Sequence, residues 1–143
     1  RMDDFRRGAD LGDRDAADLR VSPIVRCCAT EDGETARAMA RQMIAFLIGA
    51  YGPFYGDSIA EQGFADEVEA IRAAWEDRDT AAMADALPDE LLDAVAAVGT
   101  PDQVREKVEA FAAVDGVDAV RVGFVSGMSQ DHKETTMEAV TGD

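Results

Sequence analysis

The sequence predicts an α/β fold in which two parallel strands are set among a larger number of helices. Three observations predict it. Residues 21–29 hold an almost unbroken apolar run, Ile24, Val25, Cys27, Cys28 and Ala29, interrupted at Arg26. Such a run suits a strand covered on both faces, as in a parallel sheet. Residues 117–125 alternate, with Val120, Val122 and Phe124 set against Ala119, Arg121, Gly123 and Val125. Helical periodicity fills the stretch between them, and a helix linking two strands of one sheet implies a right-handed parallel crossover.

Taken in order, residues 1–20 are rich in Asp and Arg, with Gly8 and Gly12 as breakers, and read as the end of a preceding helix followed by a loop. The chain opens Arg-Met-Asp-Asp-Phe, which reads as a start inside a larger fold. The first strand follows, with Pro23 tolerable near its start. Thr30 is placed to cap the next helix, and Glu31, Asp32 and Glu34 put negative charge at its positive end. That helix is expected over residues 32–48, with Ala36, Met39, Met43, Phe46 and Leu47 forming an apolar face. The methionines read as core filling. Residues 51–56, Tyr-Gly-Pro-Phe-Tyr-Gly, read as an aromatic turn.

Short helices come next. Val68, Ile71 and Trp75 fall at i, i+3 and i+7, so residues 66–76 form an amphipathic helix. Residues 80–86 read as helix, and Pro88 opens another expected to run through Ala97. Thr100, Pro101 and Gln103 spell a capping box with proline at the first helical position. Val104, Val108 and Phe111 stripe that helix, and Asp115-Gly116 ends it. After the second strand, residues 126–129 form a loop and residues 131–140 a final helix.

Composition limits the partners. The 143 residues include 30 Asp or Glu against 14 Lys or Arg, for a net charge of −16. Neutralising nucleic-acid phosphates needs clustered cations, so a nucleic-acid binder is excluded, as is an anionic membrane surface. Hydrophobic residues make up 47% of the chain, which separates it from acidic disordered sequences. Lys107 and Lys133 are the only lysines, and Asp and Ala are abundant. A carboxylate-rich surface stays hydrated where salt screens its self-repulsion, so the sequence reads as salt-adapted (halophilic) and cytoplasmic. The adjacent Cys27 and Cys28 point to opposite faces of a strand and fit neither a mutual disulfide nor a metal site. They suit a reducing compartment. No apolar run approaches the roughly 18 residues of a membrane span, and no secretory signal is visible.

Two strands alone make a poor sheet, and the natural home of such a unit is the α/β barrel, of which this chain holds too few strands to close one. The segment Ala96-Ala97-Val98-Gly99-Thr100-Pro101-Asp102-Gln103-Val104, its helix, and then Gly116-Val117-Asp118-Ala119-Val120 resembles the end of the luciferase-like flavin and deazaflavin oxidoreductases. So do the preceding Leu87-Pro88-Asp89-Glu90-Leu91-Leu92 and the run Ala50-Tyr51-Gly52-Pro53-Phe54-Tyr55 followed by Gly63-Phe64. Residues 20–140 carry the likeness. It is greatest to the coenzyme F-420-dependent, methylenetetrahydromethanopterin reductase-like branch.

The resemblance implies the C-terminal portion of a (β/α)8 TIM barrel with a helical insertion. The two strands would be its seventh and eighth, so residues 21–143 would be its last two βα units. It implies a hydride carried between coenzyme F-420, or alternatively FMN, and an organic substrate such as a methylene-tetrahydropterin. It also places most of the coenzyme's seat on earlier strands, which leaves this chain inactive alone. Its loop at residues 126–129 lacks the proline common in reductase-like relatives.

In a barrel, function sits at the C-terminal ends of the strands. Those ends are residues 26–30 and 125–129, which singles out Arg26, Thr30, Ser126 and Gly127 as candidates for contact with cofactor or substrate. Arg26 has two readings: it faces an anionic group of a ligand, or it pairs with an acidic residue on a covering helix. Arg121 invites the same pair of readings. Gly123 and Gly127 allow close backbone approach to a ligand or simply a turn. Tyr51, Phe54 and Tyr55 wall an aromatic pocket or seal a local core. His132, the single imidazole, stands at a helix start, and no metal site is expected. No catalytic residue is assigned. The expected partners are a small-molecule substrate and, for the complete protein, further copies of itself. Two other readings stand beside this one: a non-catalytic interaction module acting through the Met39/Met43 and Val68/Trp75 faces, or an inactive gene fragment.

Overall fold

A computed structural model describes residues 2–142. Helix α1 (Met2–Leu11) runs through Gly8, expected as a breaker, and ends at Gly12. Arg6 and Arg7 pair with Asp3 and Asp4 one turn earlier, at 2.8 and 2.6 Å. A 3-10 turn at Ala16–Asp18, capped by Asp15, leads to strand β1 (Ile24–Ala29). Then come helices α2 (Glu34–Ala50), α3 (Pro53–Ile59), α4 (Ala65–Glu76), α5 (Thr80–Asp85) and α6 (Asp89–Val95). Strand β2 (Ala96–Gly99), helix α7 (Pro101–Ala112), strand β3 (Arg121–Phe124) and helix α8 (Gln130–Thr141) complete the described chain.

The sheet has three parallel strands in the order β2-β1-β3. The expected neighbours β1 and β3 lie side by side in the same direction, with Ile24 opposite Arg121 and Arg26 opposite Gly123. The strand count of two is corrected to three. Residues 96 and 97 were expected to end a helix. Instead α6 stops at Val95 and Ala96–Gly99 pair with β1, every residue buried. Alanine favours helix by only a fraction of a kcal/mol, and burial in a ladder overrides that.

Both expected strands are also shorter at their N-terminal ends. Residues 21–23 still run beside 118–121, through Asp118 N–H to Val21 O at 2.9 Å and Arg121 N–H to Pro23 O at 2.9 Å. Pro23 has no N–H to donate, so a regular ladder starts only after it. The aromatic turn is mostly helix: Gly52, at φ +87°, admits the reversal and Pro53 opens α3.

Strand alternation sorts the core into two layers. Cys28, Ala96, Val98 and Val125 face α2–α6 and pack with Ala36, Ala40, Ile48, Ile71 and Leu92. Val25, Cys27, Ala29 and Ala97 face the other way and pack against Val104 of α7 and Ala139 of α8. Helices thus cover both faces, but unevenly. β1 is buried from Cys27 to Ala29, while Ile24 is 53% exposed and Phe124 of β3 is 37% exposed. Met39 and Met43 pack on the first layer as expected.

Candidate functional site

The C-terminal ends of β1 and β3 come together against α2. Thr30 follows β1, is buried, and has its N–H bonded to Gly99 O at 3.0 Å, which ties the ends of β1 and β2. Its hydroxyl donates to Asp32 Oδ1 at 2.9 Å and accepts from Ala36 N–H at 3.3 Å. The capping task expected of Thr30 is therefore shared with Asp32, which accepts from the Thr35 N–H and hydroxyl. Helix α2 itself begins one residue after Gly33, at φ +70°, where a Cβ would lie 3.0 Å from Thr100 N. These bonds, the Thr35 hydroxyl first, hold the Asp32 carboxyl below its ordinary range.

After β3 the chain turns through Ser126 and Gly127. Ser126 N–H donates to Met43 Sδ at 3.3 Å, which fixes the turn to α2. Gly127 has φ +82°, and a Cβ there would meet only Met39 Cε, at 3.9 Å. The Ser126 hydroxyl makes no hydrogen bond to a described residue. Sequence reasoning saw the methionines as core and missed that Met43 also anchors this turn. Nothing in a helical stripe marks a sulfur that will accept a backbone N–H.

A cleft of about 420 Å³ opens beside Thr30, lined also by Glu31, Asp32, Thr35, Asp131 and His132. The His132 ring is part-buried, and its Nδ1 is covered without a partner among the described residues. Three carboxylates at this mouth repel an anion. Since a deazaflavin or flavin coenzyme carries phosphate, these residues do not fit its charged end. The open turn at Ser126 and Gly127 is the part of the strand ends free to meet a ligand.

Arg26 does not join that cluster. It lies on the other half of β1, about 13 Å along the strand from Thr30. It makes no hydrogen bond or ion pair with any described residue, so the expected pairing with an acid on a covering helix is not made. Arg121 likewise has no acidic partner among the described residues; its Nε donates to Ser22 O at 3.2 Å. The acids that do reach α2 meet other arginines: Arg37 contacts Asp89 and Asp93 at 2.8 Å each, and Arg41 also reaches Asp89. The Asp93 bond, first, raises the Arg37 pKa, and Arg37 in turn lowers that of Asp89. This network clamps α2 to α6.

Tyr51 and Tyr55 make an edge-on pair at 6.2 Å, and both are exposed, with Phe54 more so. Phe54 and Tyr55 rim a cleft, and none of the three seals a core. Val68 is buried, and Trp75 meets Phe46 edge-on at 5.6 Å. Met39, Met43 and Val68 are spent on internal packing, whereas Trp75 and Phe46 both stay partly exposed at the surface. Among the described residues, no group of three or more His, Cys, Asp or Glu is placed to hold a metal. No described helix is long and apolar enough to cross a membrane.

Comparison with known proteins adds three findings. The sequence pattern of the family described as luciferase-like monooxygenase matches residues 1–119. The structure of a coenzyme F-420-dependent tetrahydromethanopterin reductase from Methanopyrus kandleri superposes with a TM-score of 0.73 at 19% identity. The match covers 96% of this chain and 39% of the reductase, so this chain spans well under half of that protein. No curated protein matches the sequence. At that identity the likeness establishes the fold: a portion of an α/β barrel, including β3 and α8 beyond the matched sequence segment.

Proposed function

The chain belongs to the luciferase-like monooxygenase family, and from that premise we propose that it is the C-terminal segment of an oxidoreductase. The complete protein would move a hydride between coenzyme F-420, or FMN as the alternative, and an organic substrate, with a methylene-tetrahydropterin among the candidates. The observation that supports this most is the parallel pairing of β1 with β3. It sets Thr30, Ser126 and Gly127 at one end of the sheet, the end where barrels of this class place their chemistry. Coenzymes of this kind carry the reaction, and the protein supplies binding and orientation.

In this reading Thr30 shapes the strand end, and Ser126 with Gly127 offers a hydroxyl and an open backbone to the ligand. The acidic mouth at Glu31, Asp32 and Asp131 leaves the charged end of the coenzyme to residues outside this chain. Self-association of the complete protein belongs to the same proposal. The test is a fluorescence and absorbance titration with oxidised and reduced coenzyme F-420, and with FMN. The chain alone should bind weakly or not at all, and a version extended at its N-terminus should bind one of them. If the extended protein binds neither, the reading fails.

A further inference from the structure

The lower half of the sheet carries a second feature that the coenzyme reading does not use. Ile24 and Arg26 form the floor of a cleft of about 490 Å³, walled by Ile44, Leu47 and Ile48 of α2 and rimmed by Phe54 of α3, among others. Arg26 stands between two small neighbours on the same sheet face, Ala96 of β2 and Gly123 of β3. A Cβ at position 123 would lie 2.7 Å from Ile24 Cγ2 and 3.1 Å from Arg26 Nη1, so glycine there lets both side chains lie close across β3. None of the residues lining the cleft is acidic, in a chain with 30 carboxylates. Arg26 is part-buried and has no hydrogen-bond or ion-pair partner among the described residues.

The guanidinium nitrogens of Arg26 are not sealed from solvent, so the cleft presents charged donors that no described residue takes up and a ligand can. A cavity of this size, mostly apolar with one or a few directed polar groups, has the make-up of a small-molecule site. We propose that this cleft binds a small amphiphile with a single anionic headgroup, its carboxylate or phosphate on Arg26 and its apolar body along Ile44, Leu47 and Ile48. The planar guanidinium pairs with either headgroup through two parallel hydrogen bonds. The site is distinct from the strand ends, about 13 Å away along β1, and stands or falls separately from coenzyme binding.

Isothermal titration of this chain tests it, with octanoate as the probe and octanol and acetate as its two halves. Octanoate should bind, and both halves should bind at least about tenfold more weakly. Arg26→Gln should weaken octanoate by about tenfold or more and leave octanol unchanged. Phe54→Glu keeps the proposal testable if the first variant misfolds. Position 54 is 82% exposed, so the fold tolerates the change, and the added carboxylate at the rim should weaken octanoate. Failure of octanoate to bind the unaltered chain, or equal affinity in folded variants, would overturn the proposal. Neither result bears on the coenzyme titration.

Discussion

Cys27 and Cys28 stand next to each other in β1 yet belong to different layers of the core, and both are fully covered. Burial pushes each thiol up to about 11 from an ordinary 9.0. A group whose folded pKa is raised favours folding below the unfolded pKa, and that contribution is lost as pH rises toward the folded value. The melting temperature should therefore fall between about pH 9 and pH 11. A Cys27→Ala, Cys28→Ala double variant should show a flatter decline over that range. An equally steep decline in the variant would assign the loss to other groups. Asp32 and Asp89 act in the opposite sense. Their carboxyls are held below the ordinary range, by Thr35 and by Arg37 respectively. Their contribution is present above the unfolded carboxylate pKa and disappears as pH falls through the lowered one. Both side chains are exposed, so the effect is small.

Among the elements, α7 shows what local sequence can specify. Thr100 accepts from Gln103 N–H while Gln103 Oε1 accepts from Thr100 N–H at 2.9 Å, and Pro101 opens the helix. All of that chemistry lies within four residues, so it was legible. Thr100→Ala should cost about 1 kcal/mol by chemical denaturation. A loss below a few tenths would show that the cap contributes little. β2 shows the opposite. Ala96-Ala97-Val98-Gly99 has no period of its own, and its strand state is set by Arg26 to Ala29 beside it in space. The same holds for the candidate site. The strand ends followed from the pattern of the two runs, and Thr30, Ser126 and Gly127 do gather there. The Met43 anchor and the isolation of Arg26 depend on which side chains meet across α2, which spacing along the chain does not encode.

For the whole molecule, two properties remain to be tested. The first is the surface. We infer that a net charge of −16 over 143 residues reflects adaptation to salt. Raising KCl from about 0.1 M to about 1 M shortens the screening length from about 10 Å to about 3 Å. The melting temperature should climb across that range, and a flat or falling curve would remove the inference. The second property is the open sheet. Arg121 and Val125 donate their N–H groups back to Pro23 and Cys27, so the alternate amides of Val122 and Phe124 point to the unpaired edge of β3. If this sheet is part of a barrel, a further strand covers that edge in the complete protein. Residue-resolved hydrogen exchange at Val122 and Phe124 reads this directly, comparing the chain with a version extended at its N-terminus. The account predicts fast exchange in the chain alone and strong protection in the extended protein; fast exchange in both would contradict it.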